Sequence, residues 1–205
     1  MNAGYIACLV GICAAILLLT GWGRQLAGDF SPVSAFVFLT GLTVLTAVSG
    51  AGGAAAIYPL LWTAAWGAAA WSAVKPASRR VYVLFSAMLG CAVWLWAREL
   101  YAVDPVFVLW DAQLDAPLLV GALCALMTAG VREQFVVAAV SSLAGAWPVT
   151  GEAAVWAWAD SLALTWLTVR FVSWLSAALV RSVPLCRRPF AGRLETNRLK
   201  GERER

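Results

Sequence analysis

Histidine is absent from this chain of 205 residues. Because histidine is the commonest general base and metal ligand in proteins, its absence excludes a Ser-His-Asp hydrolase and a histidine-ligated zinc site. The five cysteines show no paired C-x-x-C spacing, and the sequence has no phosphate-binding P-loop, no G-x-S-x-G turn and no glycine-rich dinucleotide turn. We therefore predict no catalytic residue, no metal site and no cofactor.

Charged residues are also scarce. They make up 13% of the chain, whereas 62% of the residues are hydrophobic and the mean hydropathy is +0.79. A soluble core cannot bury that much apolar surface, so the composition is typical of an integral membrane protein. Eight of the 15 lysines and arginines lie in the final 25 residues. This concentration is typical of a juxtamembrane tail and argues against nucleic acid as the partner.

The apolar residues fall into seven segments separated by short polar stretches. A membrane-crossing helix needs about 20 mainly apolar residues. We predict an all-α integral membrane protein, a bundle of seven transmembrane helices at 4–22, 33–48, 54–74, 81–97, 118–130, 135–149 and 153–173. The fifth and sixth segments are short for a full crossing, and a re-entrant hairpin is the alternative.

Two of these segments carry small residues at a four-residue spacing, which lets neighbouring helices approach closely. They are Ala7, Gly11 and Ala15 in the first segment, and Ala64, Ala68 and Ser72 in the third. Besides the lipid bilayer itself, we therefore expect a partner that binds through such a face, either another membrane protein or a second copy of this chain.

The connection between the fourth and fifth segments is rich in acidic residues. Asp104 precedes Pro105, a pattern typical of a helix N-cap followed by proline in the first turn. It predicts an interfacial helix at 105–116 with an acidic face. Because burying two like charges is costly, we expect Asp111 and Asp115 to face the water outside the membrane.

Positive charge occurs in alternate connections. Arg24 follows the first segment, Lys75, Arg79 and Arg80 follow the third, and Arg132 follows the fifth. Cytoplasmic connections of membrane proteins carry such an excess of lysine and arginine. The pattern predicts an external N-terminus, a cytoplasmic C-terminus and a basic, disordered cytoplasmic tail at 182–205.

The seventh segment contains two charges that an apolar bilayer penalises. Asp160 lies about 10 Å from the outer end of the segment, and there it must be paired or protonated. Together with Asp111 and Asp115 it is a candidate ligand or ion site, and the alternative is a hydrogen bond between packed helices. Arg170 lies about 15 Å further along the helix and on a different face, too far away to pair with Asp160.

Basic residues towards the C-terminal end of this segment are candidates for lipid contact. The long side chain of arginine reaches the head-group region even from positions inside a span. We expect head-group contacts from Arg170, Arg181, Arg187 and Arg188.

The opening MNAGY, the adjacent Gly21 and Trp22, the chain length and the succession of apolar segments resemble the YphA family of small bacterial multi-span membrane proteins. The resemblance implies a location in the bacterial cytoplasmic membrane. That family has no assigned activity, so the resemblance implies no functional residue.

The sequence favours a non-enzymatic, membrane-embedded partner or scaffold component. Two alternatives would use Asp160: a small-solute or ion carrier, and the substrate-binding subunit of a larger transporter. A carrier requires a water-accessible cavity that reaches Asp160, whereas a packing role requires a neighbouring helix at that residue. The surroundings of Asp160 in the fold therefore distinguish these hypotheses.

Overall fold

A computed structural model describes residues 4–23, 27–49, 57–109, 111–146 and 152–182. These residues form seven α-helices and no β-strand. The helices are α1 (Tyr5–Leu17), α2 (Pro32–Ser49), α3 (Tyr58–Ala73), α4 (Ala77–Val103), α5 (Ala112–Met127), α6 (Val131–Ala146) and α7 (Glu152–Ser182). The predicted all-α class is therefore confirmed for the described part of the chain.

Three helical segments are long and apolar enough to cross a membrane. They extend over Tyr5–Trp22, Ala77–Val103 and Ala153–Val180. Shorter apolar helices lie at Pro32–Val48 and Gln113–Met127. At 1.5 Å rise per residue, the 27 residues of α4 span about 40 Å and the 16 residues of α5 about 24 Å, whereas the hydrocarbon core of a bilayer is about 30 Å thick.

Helix α6 is the central element of the bundle. It packs against α3, α4, α5 and α7, and its residues 133–139 are all buried. Because α6 faces other helices on most sides, it tolerates Gln134, Ser141 and Ser142, which are buried and would be costly beside lipid. The sequence placed this segment at 135–149 and so missed its polar first turn.

Two glycines allow close contact between long helices. A Cβ atom on Gly121 of α5 would lie 2.8 Å from the backbone oxygen of Thr165 on α7. A Cβ atom on Gly90 of α4 would overlap the hydroxyl oxygen of Ser141 on α6. The absence of a side chain at these two positions therefore sets the spacing between neighbouring helices.

The predicted small-residue face of α1 packs inside the bundle. Gly11 is buried, and a Cβ atom on it would lie 3.1 Å from the hydroxyl oxygen of Thr43 on α2. One turn further on, the buried residue is Ala14 and not Ala15. The buried face of α1 is therefore formed by small residues, as predicted, but after Gly11 it contains Ala14 where the predicted spacing has Ala15.

The small-residue face of α3 points away from the bundle. Helix α3 packs inward through Thr63 and Ala70, which are 2% and 3% exposed. Its predicted small residues, Ala64, Ala68 and Ser72, are all exposed. This face therefore packs against no other described helix.

The connection between α4 and α5 differs from the prediction. The Asp104 carboxylate accepts a hydrogen bond of 3.0 Å from the backbone N–H of Val106, as an N-cap would. Only a 3-10 turn at Pro105–Phe107 follows. The prediction of one helix over 105–116 is therefore wrong.

Helix α5 begins instead at Ala112. Asp111 caps it, since its Oδ1 atom accepts a hydrogen bond of 2.8 Å from the backbone N–H of Gln113. The helix then continues through Pro117, which lies in its second turn and has no N–H to donate to the backbone oxygen of Gln113. The fifth apolar segment therefore starts earlier than the predicted 118–130.

Three connections meet at one end of the bundle: the segment before α2, the α3–α4 turn and the α5–α6 turn. Arg132 donates a hydrogen bond of 3.1 Å to the backbone oxygen of Asp29, which joins the first of these segments to α6. Arg79 at the start of α4 forms an ion pair with Glu133 at the start of α6. This end of the bundle therefore gathers several of the basic residues that the sequence distributes over alternate connections.

Candidate functional site

Asp160 is the residue whose surroundings distinguish packing from ion binding. It lies on α7 beside the first turn of α1. Its Oδ2 atom accepts a hydrogen bond of 2.7 Å from the backbone N–H of Gly4, and its Oδ1 atom accepts one of 2.8 Å from the backbone N–H of Ala7. Both carboxylate oxygens therefore bind the backbone of a neighbouring helix.

The start of α1 needs such an acceptor. The first four N–H groups of a helix have no partner within it, and the helix dipole leaves partial positive charge there. Gly4 occupies the N-cap position of α1 and offers no side-chain oxygen. Asp160 therefore supplies, from another helix, the carboxylate that an aspartate N-cap would supply locally.

Gly4 fits this position because it has no side chain. Its φ angle is +87°, in the left-handed region that favours glycine. A Cβ atom there would also overlap the indole ring of Trp156, which lies one turn before Asp160 on α7. Trp156 and Asp160 together therefore hold the first turn of α1 against α7. This contact gives a structural reason for the glycine in the MNAGY opening.

The other two acidic candidates bind their own loop. Asp111 is exposed and caps α5. Asp115 is only 4% exposed, and its Oδ2 atom accepts a hydrogen bond of 2.7 Å from the backbone N–H of Leu109. The prediction that both carboxylates face water is therefore wrong for Asp115. The loop folds back over this residue, and its place in the first turn of α5 favours a negative charge.

Arg170 binds within the bundle through Gln134. Its Nη1 atom donates a hydrogen bond of 3.0 Å to the Oε1 atom of Gln134. Gln134 is 1% exposed, and its Nε2 atom donates to the backbone oxygen of Thr128 at 2.8 Å and to the hydroxyl of Ser173 at 2.9 Å. Arg170 and Asp160 thus have separate partners, as their spacing predicted.

Gln134 is the polar residue that sequence reasoning missed. It lies between the predicted segments 118–130 and 135–149, whereas in the structure it is in the first turn of α6 and joins the α5–α6 connection to α7. The available signal was an amide side chain directly before a long apolar run, because a polar group at that position needs partners from neighbouring helices.

The remaining basic candidates lie at or beyond the end of α7. Arg181 is in the last turn, and its side chain is outside the described part of the structure, as are Arg187, Arg188 and the rest of the tail. Lipid contact by these residues stays a prediction.

An apolar cavity of about 90 Å³ lies between α1, α2 and α7. It is partly open, and its lining includes Ala7, Gly11, Ala14 and Leu18 along one side. Helix α6 contributes Phe135. Ala7, which binds Asp160, lies at one end of the cavity, but Asp160 itself does not line it, and carbon atoms form nearly all of the wall.

Aromatic rings surround Phe135 beside this cavity. The ring centre of Phe135 lies 5.0 Å from that of Phe38, 5.7 Å from that of Trp166 and 6.0 Å from that of Phe30. Each pair meets edge to face, an arrangement in which the rings stabilise one another. These aromatic residues therefore pack together beside the cavity.

No protein-family model, curated protein or solved structure matches this chain. The resemblance to the YphA family stays a prediction.

Proposed function

We propose that this chain is an integral membrane protein with seven spans, an external N-terminus and a cytoplasmic C-terminus. The three long apolar helices support insertion. The contacts of Arg79 and Arg132 at one end of the bundle support alternation of the connections between two sides. Because excess positive charge belongs in the cytoplasm, that end is the cytoplasmic one in our proposal.

The contacts of α5 with α4 favour full crossings over a re-entrant hairpin. Tyr82, near the start of α4, donates a hydrogen bond of 2.8 Å to the backbone oxygen of Met127 at the end of α5. Tyr101, near the end of α4, packs on the cluster that contains Ala116 at the start of α5. On α5 these two contacts are eleven residues apart, about 16 Å along the axis of a helix about 24 Å long, so α5 runs beside α4 over more than half of a hydrocarbon core about 30 Å thick.

Within that membrane, we propose a non-enzymatic role as a partner or scaffold component, in the bacterial cytoplasmic membrane that the YphA resemblance implies. The observation that carries this role is the exposed small-residue face of α3, formed by Ala64, Ala68 and Ser72. Helices in lipid associate through close packing at small residues, because no hydrophobic force draws them together. A helix of another membrane protein, or of a second copy, fits this face.

The geometry of Asp160 argues against the carrier alternative and against a transporter subunit that uses the same residue. A transport site needs a carboxylate that exchanges its partners with the ligand. Both oxygens of Asp160 instead accept hydrogen bonds from the backbone of α1. A packing role accounts both for the charge of Asp160 and for its position inside an apolar helix, because the start of α1 supplies its hydrogen-bond partners.

Crosslinking from the edge of the α3 face tests the partner proposal. Leu61, which is exposed beside this face, would be changed to cysteine in a cysteine-free background and would carry a thiol-linked photo-crosslinker in native membranes. We expect a discrete protein adduct, whose mass shows whether the partner is a second copy. Ala68→Leu should lower the adduct yield about fivefold, because an added side chain of this size costs about 1 kcal/mol at such an interface.

Ala92→Leu is the matched control, since Ala92 is an exposed alanine on α4. It should leave the yield unchanged. Adducts with lipid alone, or equal yields for Ala68→Leu and the unchanged protein, would exclude α3 as the partner-binding face.

A further inference from the structure

The cavity between α1, α2 and α7 is a slot parallel to the helices. One side runs from Ala7 of α1 to Leu18, the residue that follows α1, eleven residues apart and about 16 Å along the helix axis. Its α2 side runs over the same number of residues, from Ala35 to Thr46. The slot is therefore long and narrow, with a volume of about 90 Å³.

The wall of the slot offers almost no polar group to a ligand. Two threonines of α2 line it, but each binds its own helix: Thr43 donates to the backbone oxygen of Leu39 at 2.8 Å, and Thr46 donates to that of Leu42 at 2.8 Å. A water molecule in a cavity needs two to four polar partners. The wall therefore suits an apolar occupant.

A cation lies beside one end of the slot. Phe30 is part of the lining, and the guanidinium carbon of Arg132 lies 5.8 Å from the centre of its ring. Arg132 uses one donor for the backbone oxygen of Asp29. A guanidinium group has five donors and a planar geometry that suits phosphate oxygens.

We propose that this slot binds one acyl chain of an anionic phospholipid, with the lipid phosphate beside Arg132. A linear chain with a charge at one end matches a narrow apolar slot that has a cation at one end. Binding comes from close van der Waals contact, which favours a chain held by three helices over one in free lipid.

This inference rests on the proposed insertion into a bilayer, and it adds a specific lipid site to it. The probe is phosphatidylglycerol with a diazirine in the middle of one acyl chain, present as a minor component in phosphatidylcholine vesicles that contain the full chain. After photolysis, mass spectrometry locates the labelled residues. We expect labels concentrated on residues that line the slot, such as Leu18 and Leu39.

Filling the slot should remove this labelling. Ala14→Leu places a larger side chain in the slot, whereas Ala15→Leu makes the same change at the next residue, which does not line it. We expect at least about a fivefold loss of slot labelling for Ala14→Leu and none for Ala15→Leu, a ratio equivalent to about 1 kcal/mol. Ala163→Leu, which narrows the slot from α7, should also remove the labelling. The same loss from two different helices separates filling of the slot from a folding defect in one variant.

The head-group part of the proposal has its own comparison. The phosphatidylglycerol probe should label the slot about fivefold more than a phosphatidylcholine probe with the same chain, because a basic residue near the surface favours anionic lipid. Arg132→Gln should abolish that preference. A preference that survives Arg132→Gln would overturn the role of Arg132.

Labels spread evenly over the outer surfaces, unchanged by Ala14→Leu and Ala163→Leu, would overturn the slot while leaving membrane insertion intact. Labels absent from the whole chain would instead contradict insertion itself. The two failures are therefore distinguishable.

Discussion

At the residue scale, Asp160 supplies the capping carboxylate for the start of a helix that is distant in sequence. The apolar context in the sequence predicted that this carboxylate would need a partner, and the structure supplies two backbone N–H groups, from Gly4 and Ala7. The identity of the partner could not be predicted, because the hydrogen-bonded residues are more than 150 positions apart in the sequence. No local spacing records a pairing of that kind.

Asp160→Asn tests the capping role. Asparagine has the size of aspartate but only one acceptor oxygen, so its NH₂ group would face a backbone donor. We expect the free energy of unfolding to fall by about 1 kcal/mol. Thermal unfolding of the purified protein in detergent measures this change.

Asp104→Asn is the matched control, because one oxygen of Asp104 accepts the hydrogen bond from Val106, and asparagine keeps that oxygen. Its effect should be within about 0.5 kcal/mol, as for an ordinary surface change. Equal losses for the two variants would contradict the capping role. Proton or cation flux in vesicles that stops in Asp160→Asn, without a loss of stability, would favour the carrier alternative instead.

At the element scale, a helix buried among other helices contains polar residues that a lipid-facing helix does not. Hydropathy predicted the apolar parts of α1, α4 and α7, because those helices contain long apolar stretches. It mispredicted the start of α6, where Glu133 and Gln134 are buried between helices. The Asp104–Pro105 pattern mispredicted a helix at 105–116, because Asp111 caps α5 and Asp115 accepts a hydrogen bond from the loop before it. Polar groups satisfied by neighbouring elements leave no periodic signal.

Two glycine substitutions test the close helix contacts of the bundle. Gly90→Ala should destabilise the protein by about 1 to 3 kcal/mol, because its Cβ atom meets the side chain of Ser141. Ser141→Ala in the same chain should restore much of the loss by removing that oxygen. Gly121→Ala should lower the free energy of unfolding by a similar amount. Thr168→Ala should not restore that stability, because the new Cβ atom still meets the backbone oxygen of Thr165.

Urea or thermal unfolding of the two double variants measures both effects. Gly67→Ala is the control, because a Cβ atom on Gly67 meets nothing within 4 Å, and alanine stabilises a helix relative to glycine. Rescue of Gly121→Ala by Thr168→Ala, to the same extent as rescue in the other pair, would show that α5 and α7 are not held by backbone contact.

At the scale of the whole molecule, the composition predicted the helical class, and loop charges predicted which connections share a side. The contacts of Arg79 with Glu133 and of Arg132 with Asp29 agree with that grouping. The exposed face of α3 could not be predicted, because the same small residues would serve equally well inside the bundle. Only the packing of α3 through Thr63 and Ala70 distinguishes the two faces.

The proposed orientation of the bundle is tested most directly by the side of the membrane on which the connections before and after α4 lie. Ser78 at the start of α4 and Leu109 before α5 are both exposed. Each would be changed to cysteine in a cysteine-free chain and treated, in intact cells, with a thiol reagent that cannot cross the membrane. We predict that the cysteine at 109 is labelled directly and that the cysteine at 78 is labelled only after the cells are permeabilised. Labelling of both cysteines in intact cells, or of the one at 78 alone, would contradict the proposed topology.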